Sequence, residues 1–290
     1  MQYSLTDRLK GIIAMLERDH GLVTMAVWEA GSRSWGYSTQ RSDYDIRFVY
    51  VKKPWMGTVT NTDDTFRQDF EFPKEDGLRF EFQGFDFRKF MCMLVRSDAF
   101  IHEILAGGSI LAHGDCIDHI SSTAEAYVDL RAMADAYFSQ MHRNLEPKRE
   151  NKLTAKGIIH ALRYGLIVEQ MLDTHEIKPR LTELNEMEFD SAFGSANSVQ
   201  AVVQHLRYNA WRPADELMRD ILVRKVFVFY EHMQRRMQSD LMGVPGGRNR
   251  DYTHADVCFQ RVLARYYHNN LNVPLHWVEG VQFPSVVRSI

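Results

Sequence analysis

The chain has little cysteine. Its 290 residues hold three, Cys92, Cys116 and Cys258. They lie far apart, without the paired spacing of a zinc site, a dithiol redox motif or a disulfide framework. That usage fits reduced thiols and a cytoplasmic setting. Charge of one sign is lacking too. The 35 Lys and Arg stand against 38 Asp and Glu, a formal net charge of −3. No global field draws such a chain to nucleic acid, so any RNA contact must come from a local basic patch. No apolar run is long enough to span a bilayer, and the opening MQYSLTDRLKG has no signal-peptide pattern. A membrane partner is therefore not expected. Internal repeats and low-complexity tracts are absent to the eye. What remains is ordinary globular usage, 45% hydrophobic and 25% charged, enough for one large or two modest domains.

Against this plain background one stretch stands out, Gly31 to Tyr50, which reads GSRSWGYSTQRSDYDIRFVY. A polar loop opens with Gly31-Ser32 and runs into an Asp-x-Asp pair on a segment continuing as Ile46, Phe48, Val49 and Tyr50. Residues two apart on a strand point to one face, so Asp43 and Asp45 project together. Two adjacent carboxylates repel each other unless a cation sits between them. Magnesium is the expected ion, with manganese the alternative, because it takes hard oxygen ligands and substrate phosphates. The loop before the pair offers backbone N–H groups and a small hydroxyl suited to a phosphate.

A Gly-Ser followed at about ten residues by Asp-x-Asp resembles the signature of the polymerase-β-like nucleotidyltransferases. The longer string is similar to one branch, the predicted nucleotidyltransferases associated with RNA ligases and RNA repair. There a Gly-Ser-Arg-x-Trp-Gly block (here Gly31, Ser32, Arg33, Trp35, Gly36) precedes Ser-Asp-Tyr-Asp-x-Arg-Phe-x-Tyr (here Ser42, Asp43, Tyr44, Asp45, Arg47, Phe48, Tyr50). The resemblance implies an α+β fold: a polymerase-β-like domain with a mixed sheet and flanking helices, then an all-helical C-terminal domain. It implies nucleotide contacts from Gly31, Ser32, Arg33 and Ser42. It also implies a third metal-binding aspartate. Gly84-Phe85-Asp86-Phe87-Arg88-Lys89 matches a Gly-Trp-Asp-Leu-Arg-Lys block, which makes Asp86 that residue. Asp is also a favoured helix N-cap, so Asp86 has a purely structural reading as well. Glu81 competes for the third place, but strand alternation sets it on the face opposite Asp86.

In chain order, the spacing of Leu9, Ile12, Ile13 and Leu16 predicts a helix over about 5–18, and Val23 to Glu29 reads as the first strand. After the Asp-x-Asp strand and a polar loop at 58–64, Phe66 to Phe72 and Leu78 to Phe85 read as a hairpin turning near Asp76-Gly77. A helix follows Asp86, another runs from Ser97 to Ala106, and Ser109 to Ala112 is a short extended piece. Beyond His113-Gly114 the pattern is helical over about 117–144, 154–172, 198–209, 213–238 and 255–270, with an irregular tail from Val273. The expected domains are therefore 1–114, catalytic, and 115–290, helical.

Lys156, His160 and Arg163 fall on one face of a predicted helix. Lys156 and Arg163 match the first lysine and the arginine of a family Lys-Lys-Tyr-x-Tyr-x-x-Arg helix, which implies triphosphate contact. Gly157, Ile158 and His160 depart from that motif, and a solvated charged face is the plain alternative. Arg47 either pairs with an aspartate or reaches phosphate. Trp35 and Tyr37 either pack the loop down or stack on a base. The expected activity is magnesium-dependent transfer of a nucleoside monophosphate from a nucleoside triphosphate to a hydroxyl. An RNA end is the expected acceptor. Nucleotidylation of a protein or a tRNA is the enzymatic alternative, and an inactive nucleotide- or RNA-binding subunit of a protein partner the non-enzymatic one.

Overall fold

A computed structural model describes residues 5–39, 42–52, 65–72, 78–108, 110–146, 153–184, 206, 216–247, 251–268 and 277–279. Helix α1 (Leu5–His20) buries the predicted stripe of Leu9, Ile12, Ile13 and Leu16. Strand β1 (Leu22–Ala30) leads into a single helical turn, α2 (Gly31–Ser34), and then β2 (Tyr44–Lys52). Strands β3 (Thr65–Phe72) and β4 (Leu78–Asp86) form the expected antiparallel hairpin. Helices α3 (Phe87–Val95) and α4 (Ala99–Ala106) follow, capped by the Asp86 and Asp98 side chains. Strand β5 (Leu111–His113) ends this run.

Helices α5 (Gly114–Tyr127) and α6 (Leu130–Leu145) come next. The sequence predicts one helix here. The chain instead breaks at Val128-Asp129, where the Asp129 carboxylate accepts from the Ala132 N–H at 3.0 Å and starts α6 afresh. Then come α7 (Ala155–Thr174), α8 (Leu181–Leu184), α9 (Glu216–Asp240), α10 (Thr253–His268) and β6 (Trp277–Glu279). The tail expected to be irregular thus contains a strand, paired antiparallel with β5. The loop at 58–64, the turn at 74–77 and, apart from Leu206, the helix expected over 198–209 lie outside the described residues. No described helix is long and apolar enough to cross a membrane.

The sheet has six strands in the order β3-β4-β2-β1-β5-β6. It is mixed: β2 and β4 run parallel, and the other neighbours are antiparallel. One face is largely apolar. Val27, Ile46, Phe48, Tyr50, Phe80 and Phe82 pack there against the buried stripe of α1. The other face changes character along the strands. On β2 it passes from partly exposed Asp45 and Arg47 to buried Val49 and Val51, with exposed Asp43 just before the strand. Its apolar half is covered by helices: Trp28 stacks on Phe90 of α3 at 5.8 Å, and Phe85 meets Phe100 of α4 edge-on at 6.2 Å. The polar half is the ground on which the site is built.

The chain divides into two compact units. The first holds Met1–Ser34, Ser38–Val128 and the described residues of Arg248–Pro284; the second holds Trp35–Tyr37 and Asp129–Gly247. The division falls one helix later than the change of pattern near residue 114, and α10 returns to the sheet unit. There Phe259 stacks on Phe87 at 5.4 Å, and the Tyr127 hydroxyl donates to the Asp251 carbonyl. In the second unit α7 is the buried centre, with Ile158, Leu162, Leu166 and Val168 wholly enclosed. The apolar run Val226–Tyr230 is split: Val226 and Phe229 are buried, while Phe227 and Val228 are 37% and 48% exposed.

Gly84 shows how tightly the sheet unit is filled. A Cβ at this position would overlap the ring of Phe48, itself 1% exposed. Gly84→Ala is expected to cost about 1–3 kcal/mol by overpacking, read as a lowered urea midpoint with an unchanged slope.

Candidate active site

The site begins where β1 ends. Ala30 is in register with Asp45, and the next residue, Gly31, takes φ +66° to turn the chain into α2. A Cβ at Gly31 would overlap the Asp45 carboxylate. Glycine is thus required twice, by the left-handed backbone and by the close approach of the acid. Ser32 follows, partly exposed, in the same helical turn. Arg33 straps the turn to the incoming strand. Its Nη2 and Nε donate to the Ser42 carbonyl at 2.7 and 3.1 Å, Nε reaches the Asp43 carbonyl at 3.3 Å, and its guanidinium lies 3.8 Å from the Tyr44 ring centroid. Ser42 closes the loop. Its Oγ accepts from the Thr39 N–H at 2.9 Å, and its N–H donates to the Thr39 carbonyl at 3.0 Å. Both residues, expected to touch nucleotide, fix the backbone that presents Asp43.

Asp43 is exposed and Asp45 is half-covered, with 26% of its side chain accessible. Arg47 sits two residues on, its side chain 11% exposed, with Nη2 3.6 Å from Asp45 Oδ1 and 3.3 Å from Glu81 Oε1. Burial pushes the Arg47 pKa down, and the two carboxylates oppose that shift. Of the two roles open to Arg47, the structure displays the ion pair.

The third carboxylate is where residues and expectation part. Glu81 and Asp86 do lie on opposite faces of β4. In the parallel register, however, Asp45 pairs with Glu81, and Asp86 pairs with Tyr50, whose side chain belongs to the α1 face. Asp86 Oδ1 accepts from the Arg88 N–H at 3.0 Å and caps α3. Glu81 therefore neighbours Asp45, and Asp86 stands five residues along the strand on the other side. A signal for this was present in the sequence: Phe80-Glu81-Phe82 repeats the apolar–acid–apolar pattern of Tyr44-Asp45-Ile46. Asp69 of β3, also passed over, extends the row, being in register with Glu81. Asp43, Asp69, Arg79 and Glu81 line a small cavity of about 40 Å³ between these strands. Among the described residues no three His, Cys, Asp or Glu side chains converge closely enough to hold a metal ion as they stand.

Lys156 and Arg163 belong to the second unit. Lys156 is exposed in the first turn of α7. Arg163 is fully buried: Nε donates to the Pro179 carbonyl at 3.0 Å, and the guanidinium lies 4.1 Å from the Trp35 ring centroid. Trp35 also meets His160 edge-on at 5.7 Å, Tyr37 meets His160 at 6.3 Å, and the Trp35 carbonyl accepts from the Leu181 N–H at 2.9 Å. Trp35 and Tyr37 are packed down rather than presented to a base. Burial, and then the charges of Lys156 and Arg163, lower the His160 pKa from 6.5 to about 4.

That shift has a sign. Between about pH 6.5 and 4 the unfolded chain binds a proton at His160 that the folded chain refuses, so stability falls as pH drops through this window. Buried His102, also lowered to about 4, acts in the same direction. Urea midpoints at pH 7 and pH 5 are expected to fall for the native chain and to fall less for His160→Phe. An equal decline in both proteins would count against a neutral His160.

Over 99 residues, 34% of each chain, the sequence is 33% identical to the uncharacterized protein YcgL of Bacillus subtilis (strain 168), so the match spans about a third of that relative's length. The crystal structure of a nucleotidyltransferase-like protein from Exiguobacterium sibiricum 255-15 aligns over 98% of this chain and 100% of that one. Its identity of 9% and TM-score of 0.31 are too slight to argue from. A family model described as "RNA repair pathway DNA polymerase beta family" matches residues 5–207, well over half of the sequence. The chain belongs to the RNA repair pathway DNA polymerase beta family.

Proposed function

We propose that this protein is a magnesium-dependent nucleotidyltransferase that moves a nucleoside monophosphate from a nucleoside triphosphate to the hydroxyl of an RNA end, releasing pyrophosphate. One observation carries the reading. Asp45 and Glu81 are in register on one sheet face, Asp43 lines a cavity with Glu81, and beside them lies a glycine turn that can carry no side chain because the Asp45 carboxylate fills its place. The donor set fits a hard divalent cation, since it consists of carboxylate oxygens with neither thiolate nor imidazole among them. Asp43, Asp45 and Glu81 would hold it. When bound, such an ion neutralises triphosphate charge and lowers the pKa of the attacking hydroxyl.

The chain's own residues have separable tasks in this reading. Arg33 and Ser42 hold the Asp43 backbone in place through the carbonyl and hydroxyl contacts of the loop. Arg47 lies between Asp45 and Glu81 and offsets their mutual repulsion until substrate arrives. The Gly31-Ser32 turn offers N–H and hydroxyl donors to the leaving phosphates. Glu81, next to Asp45, can accept the proton of the acceptor hydroxyl. Asp86 is assigned to α3 as its cap, and Lys156 to the outer charge of the helical unit.

The test is incorporation of α-labelled ribonucleotides into RNA with magnesium or manganese. Asp43→Ala and Asp45→Ala are expected to lower transfer by at least about 100-fold with the fold retained. Glu81→Gln is expected to match them. Asp86→Ala is expected to keep transfer and to lose about 0.5–2 kcal/mol of stability, the cost of a lost cap. Full activity in Glu81→Gln with loss in Asp86→Ala would return the third place to Asp86. Label on protein instead of RNA would change the acceptor, and unchanged transfer in both Asp-x-Asp variants would sink the proposal.

A further inference from the structure

Away from the carboxylates, the sheet unit contains a second and larger cavity. It lies between α3 and α10, both of that unit, and measures about 510 Å³, a size typical of small-ligand sites. Three of its residues follow at four-residue spacing along α3 and its C-cap: Arg88, Cys92 and Arg96, all exposed. The facing wall brings Tyr252, Asp256 and Phe259. The floor between is apolar.

The aromatic wall is fixed in place. One side of Tyr252 stacks on Tyr127 at 6.0 Å with the rings 11° apart, while the residue stays 41% exposed. Phe259 stacks on Phe87 at 5.4 Å. Tyr127 is anchored in turn, because its hydroxyl donates to the Asp251 carbonyl and accepts from the Ala255 N–H at 3.3 Å. A ligand entering here meets preformed aromatic surface, two guanidinium groups and one carboxylate. Aromatic rings take a base by stacking, and guanidinium groups take phosphate. The Asp256 carboxylate accepts from ribose hydroxyls or from a base amine.

We infer that the α3–α10 cavity binds a nucleotide unit, a base stacked on the Tyr252–Phe259 wall with its phosphate held by Arg88 and Arg96. Two sources share that chemistry, a nucleotide of a single-stranded RNA acceptor and a free nucleoside triphosphate. A chain with net charge −3 has no general attraction for RNA, so a local pair of arginines beside exposed aromatic surface is the kind of patch it needs. The inference deepens the transferase reading, since an enzyme that extends an RNA end must hold that end. Binding is read without turnover, so the two can fail separately.

Cys92 supplies the probe. It is exposed on the cavity wall, while Cys116 and Cys258 are buried. The full chain is treated with a maleimide in the presence of a short single-stranded oligoribonucleotide or of a nucleoside triphosphate. Affinities are measured in parallel for the native protein and for Arg88→Glu/Arg96→Glu, two surface changes. The oligoribonucleotide is expected to shield Cys92, and the double variant to bind it at least about 10-fold more weakly with a salt dependence shallower by about one to two phosphate contacts. Shielding by the triphosphate, with its binding weakened instead, would keep the site and name the free nucleotide as its ligand. Cys92 unshielded by either ligand, or both bound by the variant as by the native chain, would overturn the inference. Shielding that persists in Asp43→Ala, with transfer absent in the native protein, would retain the cavity and discard the transferase reading.

Discussion

The geometry of the candidate site depends on one charge set among others, the Arg47 guanidinium between Asp45 and Glu81. Carboxylates in register on adjacent strands repel, and a sheet that places them side by side must supply a cation or lose their charge. Here the cation is part of the strand. It is itself largely buried, which disfavours its charge, and the two acids offset that cost. The trio is therefore mutually required: remove the arginine and the acids repel, remove the acids and a guanidinium is left desolvated. A bound divalent ion would compete with Arg47 for the same oxygens. On the proposed function, Arg47 is a placeholder that keeps the acids aligned before substrate and metal arrive.

Around that trio the fold is arranged by a division of labour between the two faces of the sheet. The α1 face is largely apolar, and its burial fixes which residues of each strand must point away from it. Because Ile46, Phe48, Phe80 and Phe82 go to α1, Asp45, Arg47 and Glu81 have no alternative but the opposite face. There α3 and α4 cover the apolar half and stop. The carboxylates thus occupy a place that is rigid, because the strands beneath are locked by a filled core, and partly exposed, with Asp43 exposed and 26% of the Asp45 side chain accessible.

Much of this was legible in the sequence, and the part that was not has a definite cause. Periodicity located α1, β1, the Asp-x-Asp strand, the β3–β4 hairpin and, among the described residues, α7, α9 and α10. Alternation within β4 correctly set Glu81 and Asp86 on opposite faces. What a single strand cannot reveal is which of its faces aligns with a neighbour's, because that depends on the register and direction of pairing. The parallel pairing of β2 with β4 decides it for Glu81. The apolar partners were the usable clue: a residue flanked by two buried phenylalanines on β4 must share a face with the residue flanked by Tyr44 and Ile46 on β2. The return of α10 and β6 to the sheet unit was not readable, since helical pattern says nothing about where a helix docks. Nor was the burial of Arg163, a charged residue at helical spacing that reads as surface and is instead enclosed under Trp35.

Arg163 and Arg33 each anchor part of the chain that follows α2, each within its own unit. The segment after α2 leaves the sheet unit for three residues, Trp35–Tyr37, whose contacts belong to the helical unit. There Trp35 is pinned by the Arg163 guanidinium on one ring face, by His160 at its edge and by the Leu181 N–H at its carbonyl. On the other side of the same short loop, Arg33 ties Ser42 and Asp43 to the turn. A loop of polar residues and glycine would ordinarily be mobile, because fixing each residue's backbone costs about 1–2 kcal/mol of conformational entropy. Here its two ends are fastened by two arginines through different chemistry, one stacked on an indole and one bonded to carbonyls. Trp35, the aromatic residue of the Gly-Ser-Arg-x-Trp-Gly block, thus has a physical reason to be there that needs no contact with a base: it packs against Arg163, His160 and Leu181 inside its own unit.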